Sequence, residues 1–282
     1  MELFLLKKEF SRYYIRFFGI KILINTKKNH LTQMKRKLSF LLYKLIFLIT
    51  EKTKKYSDIV ILGRNCEIAT CYTRIHGYIE SSLFCWSVYN NKEKFLTAIK
   101  NPQLIFSEEI DFLSDVNMWH CQKTDIIFHG SMRSEELLDK DGNLVEERVK
   151  QEKENTISKI KHLAQKNQKI YSSNEKKLYI LTLDLETKEK DFDFINQIYN
   201  YLKKQNDNFD MTIIVEEKKY YDELKTLEAI NKNLSIKQVP YFHCNESYDE
   251  TFDYYKKWTK ILTPLKVSKN KIKTKRKLKC DD

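Results

Sequence analysis

The sequence has no Cys-x-x-Cys pair and no framework spacing among its six cysteines (66, 71, 85, 121, 244 and 280), and no cleavable signal peptide opens it. These absences exclude a disulfide-stapled secreted scaffold and read as free thiols in a reducing, cytoplasmic compartment. The six histidines are scattered and no two Cys/His doublets stand at ligand spacing, so no metal is expected. Neither G-x-G-x-x-G nor G-x-x-x-x-G-K-[ST] occurs, which removes the phosphate-cradling loops, and no cofactor is expected. An RNP-like aromatic motif, a helix-turn-helix signal and finger spacing are all missing, so no specific nucleic-acid partner is expected. The most apolar run, Leu38-Ser-Phe-Leu-Leu-Tyr-Lys-Leu-Ile-Phe-Leu-Ile49, holds Lys44 in its middle and falls short of the ~20 residues that span a bilayer.

What is present is a chain of 282 residues, 41% hydrophobic, long enough to build a real core. Its net charge of +12 is unevenly placed. Residues 1–56 carry 14 Lys and Arg against 3 Glu, and residues 264–282 carry 8 against 2 acidic residues, which leaves the body between them at −5. This divides the chain into a basic amphipathic N-terminal extension (1–56), an α/β domain (57–263) and a basic tail (264–282) read as solvated and disordered. The extension, expected to be helical, is suited either to packing on the body or to lying on an anionic membrane surface, which would make the protein peripheral to the inner membrane face. With 13% aromatic content, most Trp, Tyr and Phe side chains must be core.

The body reads as strand and helix in alternation. Ile59–Leu62 is an apolar run closed by Gly63, and a helical pattern follows from Cys66 to Ile75, ending near Gly77. A helix is predicted over Lys92–Lys100, stopped by Pro102, and a strand over Asp125–Phe128 running into His129. Ser134–Lys169 is Glu/Lys-rich and reads as a solvated helix face. The runs Leu178–Leu183, Met211–Val215 and Leu234–Val239 are strands, separated by helices over Phe192–Lys204 and Tyr220–Asn231 and followed by one over about Ser247–Leu262. The fold class is therefore α/β, a mainly parallel sheet with flanking helices.

In such sheets functional groups collect where strands end and helices begin. Cys66 occupies such a corner, where the free N–H groups and dipole of a helix start favour thiolate over thiol. It reads either as a nucleophile or as a small buried core residue. A cysteine nucleophile needs a base and a group to orient it. His129, at a strand end, is the first choice of base, with His120 and His243 as alternates. Asp184, closing Leu178–Leu183, is the acid best placed to orient it; Asp125 shares a strand face with His129 but stands too far along it. Asn65 is either an oxyanion donor, together with the Cys66 amide, or a helix N-cap.

Ile61-Leu-Gly-Arg-Asn-Cys-Glu-Ile-Ala69, Ser82-Leu-Phe-Cys-Trp86 and Phe128-His129 stand in the order seen in a bacterial family of unknown function named for papain-like cysteine peptidases, which the chain resembles over roughly residues 57–262. The resemblance implies a hydrolase with Cys66 as its central residue. Where that family reads Pro-Phe-Asp-Trp, this chain has Leu83-Phe84-Cys85-Trp86. Trp258 within a late helix is similar to that family's ending. Arg16-Phe-Phe-Gly-Ile-Lys21 resembles the leader of proteins from bacterial capsule and lipopolysaccharide loci, many of them glycosyltransferases. The expected activity is thus Cys–His acyl transfer or hydrolysis on an unknown substrate in surface-polysaccharide biology. A glycosyltransferase or nucleotide-sugar-binding protein and a non-catalytic membrane-proximal scaffold are its rivals.

Overall fold

The computed structural model describes residues 4–9, 12–17, 20–24, 54–63, 67–77, 81–106, 110–114, 118–130, 132, 134–183, 186–216, 220–239 and 252–267. In the N-terminal extension the backbone forms three antiparallel strands, β1 (Phe4–Glu9), β2 (Arg12–Phe17) and β3 (Ile20–Ile24). Residues 25–53 of the extension expected to be helical, with the apolar run 38–49, and the tail beyond 267 lie outside the described residues.

The body is a mixed α/β structure. Its main sheet is four parallel strands in the order β12 (Leu234–Val239), β11 (Phe209–Glu216), β10 (Lys177–Leu183), β5 (Asp58–Leu62). Strands β5 and β10 are buried along their whole length, as the near-continuous apolar runs Ile59–Leu62 and Leu178–Leu183 require of a sheet covered on both faces. Period-two alternation divides their side chains between two cores. Val60, Leu62, Leu181, Leu183 and Ile213 face one core, with Ile160 and Ala164 of α4 (Glu146–Ser172), Phe194 and Ile198 of α5 (Lys188–Gln205) and Leu224 of α6 (Tyr221–Ile230). Ile59, Ile61, Leu178 and Ile180 face the other, with Ile68, Tyr72 and Ile75 of α1 (Glu67–His76) and Trp258 and Leu262 of α7 (Phe252–Leu262). Two short strands, β4 (Lys54–Tyr56) and β13 (Leu265–Val267), pair in parallel beside this second core.

Between α1 and α4 the chain builds a second sheet, antiparallel, in the order β6 (Ser87–Tyr89), β9 (Ile126–His129), β8 (Met118–Cys121), β7 (Ile110–Leu113). Helix α2 (Lys92–Lys100), started by Asn91 accepting from Lys94 N at 2.8 Å, and a 3-10 turn (Pro102–Phe106) connect β6 to β7. A short α3 (Ser134–Leu137) precedes α4.

Helix α4 buries more than its composition suggests. Glu152, Thr156, Ile160, Ala164, Asn167 and Tyr171 recur at steps of three and four and are all buried, so the segment read as a solvated face is a core helix with a partly polar stripe. Its C-terminus is closed by the buried Lys177, whose ammonium donates to the carbonyls of Ile170 (2.7 Å), Tyr171 (3.1 Å) and Ser173 (2.6 Å). A cation there meets the negative end of the helix dipole and the unpaired carbonyls together.

Candidate active site

Strand β5 terminates the main sheet, so its outer edge needs hydrogen-bond partners from elsewhere. Ser82 supplies them: Ile61 N donates to its Oγ at 3.2 Å, and the same hydroxyl stands 3.2 Å from Ile61 O. The next residue is fixed from the opposite side, Leu83 N donating to Asn167 Oδ1 of α4 at 3.3 Å. Phe84 and Cys85 are then fully buried on opposite sides of the segment, one in each core. Cys85 is thus a packed thiol where the resembling family has a carboxylate.

Trp86 and His129 are neighbours across the β6–β9 ladder, with His129 N donating to Trp86 O at 3.4 Å. His129 ends β9 with its side chain on the solvent-facing side, as a strand-end position predicts. The two described parts of the motif, 82–86 and 128–129, therefore meet, and both line a small pocket with Lys159 and Ile160 of α4. At about 30 Å³ that pocket holds about one water molecule.

Two contacts made by residues of α4 hold the chain just after His129. Glu152, buried on α4, accepts from Met132 N at 3.0 Å and from Thr156 Oγ1 at 3.1 Å. Lys159 Nζ donates to Gly130 O at 3.2 Å. A side chain at position 130 would overlap Glu152 Oε1 and come within 3.1 Å of Trp119 Nε1, so glycine is what lets the carboxylate approach the backbone. Crowding by the surrounding protein, and then the Lys159 ammonium, push the His129 imidazole below its ordinary value. At neutral pH it is uncharged and able to accept a proton.

Of the predicted site residues, Cys66, Asn65 and Asp184 lie outside the described residues, as does the alternate His243. Helix α1 begins at Glu67, one residue after Cys66, and Gly77 ends it with φ 79°, the left-handed conformation that glycine adopts freely. Asp125 does not share a strand face with His129. It precedes β9 in a turn with φ 54°, and its Oδ1 lies 2.9 Å from Nε2 of His120. His120 is thereby paired with a carboxylate on the solvent face of the second sheet, beside Asp111 across the β7–β8 ladder.

No family model, curated protein or solved structure matches the chain. The likeness to papain-like proteins thus rests on the quoted motifs alone.

Sequence reasoning passed over a second cluster, at the carboxyl ends of β10 and β11. Lys92 Nζ, buried at the start of α2, contacts Asp191 Oδ1 at 2.6 Å and Glu186 Oε1 at 2.9 Å. The second Asp191 oxygen accepts from Tyr220 OH at 2.7 Å and from Glu186 N at 2.9 Å. Tyr89 of β6 joins this end of the sheet through a 3.2 Å bond to Thr182 O. Asp191-Phe-Asp193 has the spacing of an Asp-x-Asp metal pair, but on a helix residues two apart diverge. Asp191 turns inward to Lys92, while Asp193 accepts from Gln197 at 2.6 Å on the exposed side. Among the described residues no group of three or more His, Cys, Asp and Glu side chains is placed to hold a metal ion, and no helix is long and apolar enough to cross a membrane.

Proposed function

We propose that the protein is a Cys–His enzyme of acyl-transfer or hydrolytic type, with Cys66 as nucleophile and His129 as general base and acid. The observation that carries this reading is the Ser82–Trp86 segment, bonded to the edge of β5 at Ile61 on one side and paired with His129 on the other. Strand β5, which precedes Cys66 in the sequence, and β9, which ends in His129, are thereby fixed to one another.

In the reaction, His129 takes the thiol proton and the sulfur attacks a carbonyl carbon. The resulting oxyanion is met by the Cys66 amide and the Asn65 side chain, and the imidazolium then returns its proton to the departing group. Water or another acceptor, deprotonated by the same imidazole, releases the acyl group and restores the thiol. Asp184 would orient the ring. The lowered basicity of His129 supports the role, since an imidazole that is neutral near pH 7 can act as base first and acid second.

The test is thiol labelling of the native protein from pH 5 to 9 with iodoacetamide, read site by site by mass spectrometry. Cys71, Cys85 and Cys121 are buried and should stay unlabelled. Cys66 should react fastest well below the free-thiol pKa of about 8.5, and His129→Ala should remove that advantage. A Cys66 that reacts no faster than Cys280 at every pH rules the mechanism out.

A further inference from the structure

A parallel sheet covered on both faces should be apolar on both, and β12 departs from that rule. Leu234, Ile236 and Val239 are buried, while Ser235 and Lys237, which alternate with Leu234 and Ile236, are not. Across the β11–β12 ladder Ser235 pairs with Thr212, their hydroxyl oxygens 3.1 Å apart. Asp210 lies two residues before Thr212 on the same face. These residues form one wall of a cavity of about 480 Å³, lined on the other side by Lys257, Lys260 and Ile261 of α7 with Pro264 of the turn into β13 and Leu265 of that strand. Its volume falls in the range of small-molecule sites, ~300–1,000 Å³, and it shares no residue with the His129 pocket.

Five lysines line this cavity: Lys54, Lys232, Lys237, Lys257 and Lys260. The single carboxylate among the lining residues, Asp210, is already engaged, accepting from Tyr56 OH at 2.7 Å and pairing with Lys54 at 3.5 Å and Lys176 at 3.3 Å. Among the described residues Lys232, Lys237 and Lys260 make no ion pair. Four of the five, Lys232, Lys237, Lys257 and Lys260, belong to the net-acidic body of the chain, so this concentration of ammonium groups is not a sample of its composition. Like charges facing a common concavity raise one another's energy and focus a positive potential into it, which an anion of two or more charges relieves.

We infer that this cavity is a binding site for a small ligand carrying adjacent phosphate groups, a pyrophosphate or nucleoside diphosphate in chemical class. Lysines are compact point-charge donors suited to phosphate oxygens, and the mutually bonded Thr212 and Ser235 hydroxyls leave one O–H as a neutral donor on the wall between them. Leu234, Ile261 and Leu265 give an apolar surface for the remainder of such a molecule. A single-stranded nucleic acid fits less well. Both tyrosines of the lining are engaged, Tyr56 buried on Asp210 with Lys176 over its ring and Tyr221 bonded through its hydroxyl to Ile236 O at 3.2 Å with Lys225 over its ring, so each ring already carries an ammonium over one face. The inference is independent of the Cys66–His129 reading.

Isothermal titration of the full chain with pyrophosphate and with ADP tests it. One-to-one binding is expected. Lys237→Gln with Lys260→Gln should weaken it by at least about tenfold, the loss of one charge-assisted contact or more. Lys150→Gln with Lys161→Gln on the exposed side of α4, and Lys271→Gln with Lys273→Gln and Lys275→Gln in the tail, should leave it unchanged. Circular dichroism of the first pair, both exposed residues, confirms that folding is intact. Three results would overturn the inference: no heat at millimolar pyrophosphate, loss of binding in the tail variant but not in the cavity variant, or affinity for oligothymidylate that rises with length and exceeds that for ADP.

Discussion

Replacing Asp191 by alanine isolates the energetics of the carboxyl end of the main sheet. Its carboxylate, completely buried, receives Lys92 Nζ, Tyr220 OH and Glu186 N within 2.9 Å. Removing it strands the Lys92 ammonium, 6% exposed, with only Glu186, whose side chain is 45% exposed. Orphaning a buried charge costs about 3–5 kcal/mol, and one charge-assisted hydrogen bond is worth about 1.5–3 kcal/mol. The two figures describe overlapping losses, so about 4 kcal/mol is expected for Asp191→Ala. Glu186→Gln touches the same lysine from the solvent side, where the ammonium already holds the Glu186 carboxylate below its usual range, and should cost only about 0–1 kcal/mol. Tyr220→Phe should fall between them, at about 1–2 kcal/mol. Lys92→Met combined with Asp191→Leu removes both charges and should recover most of the loss, because a packed apolar pair can replace a buried ion pair at little cost. Urea unfolding with unchanged slopes gives these differences directly. Equal midpoints for Asp191→Ala and Glu186→Gln would show that water screens the cluster and that the buried-pair reasoning fails.

Three further perturbations probe the candidate active site. Ser82→Ala leaves the buried Ile61 N–H without its acceptor and should lower stability by about 1–3 kcal/mol in the same urea assay, with Ser82→Thr retaining the bond if the extra methyl is accommodated. Gly130→Ala drives a methyl group into Glu152 Oε1 and should cost about 1–3 kcal/mol, whereas alanine at Gly142, where a Cβ meets nothing within 4 Å but φ is 84°, pays only backbone strain of about 1 kcal/mol. The His129 imidazole is held below its unfolded value of about 6.5, so as acid is added the unfolded chain takes up the proton first. Stability should therefore fall with pH below about 6.5 and be flat with respect to this group above it, and the difference between wild type and His129→Gln measured from pH 5 to 8 should show that slope.

Much of the main sheet was legible because a strand buried on both faces has to be apolar at successive positions, as Ile59–Leu62 and Leu178–Leu183 are. The helices at 92–100 and 221–230 were legible from their periodicity, the first also from Pro102 as its stop. The antiparallel sheet was legible only at Ile126–Phe128, since β7 and β8 are four residues each and carry polar residues such as Asp111 and His120 on the open face. Helix α4 misled because a carboxylate, a threonine and an asparagine occupy its buried stripe, and composition alone cannot tell a satisfied polar core from a solvated surface. The same limit hid the supports of His129: Glu152 and Lys159 stand more than twenty residues further along the chain and look like any others in a Glu/Lys-rich helix. Asp125 was misassigned for a local reason, a left-handed residue that ends the turn rather than beginning the strand. Lys92, Asp191 and Tyr220 meet only through the tertiary fold, with nothing in their spacing to announce it.

The order β5-β10-β11-β12 in the main sheet follows the order of the chain, but the connections are unequal. Residues 184–208 and 217–233 close the last two steps, while the whole of 63–176 intervenes before β5 meets β10. By loop-closure entropy alone the long step costs about 1.3 kcal/mol more than the next longest, and it waits on an entire second sheet. Three strands can therefore assemble early with the β10 flank bare, a lane into which the corresponding segment of another molecule fits as well as its own. At high concentration during refolding the protein should accordingly populate exchanged dimers that trade β5, and dilution before refolding should suppress them.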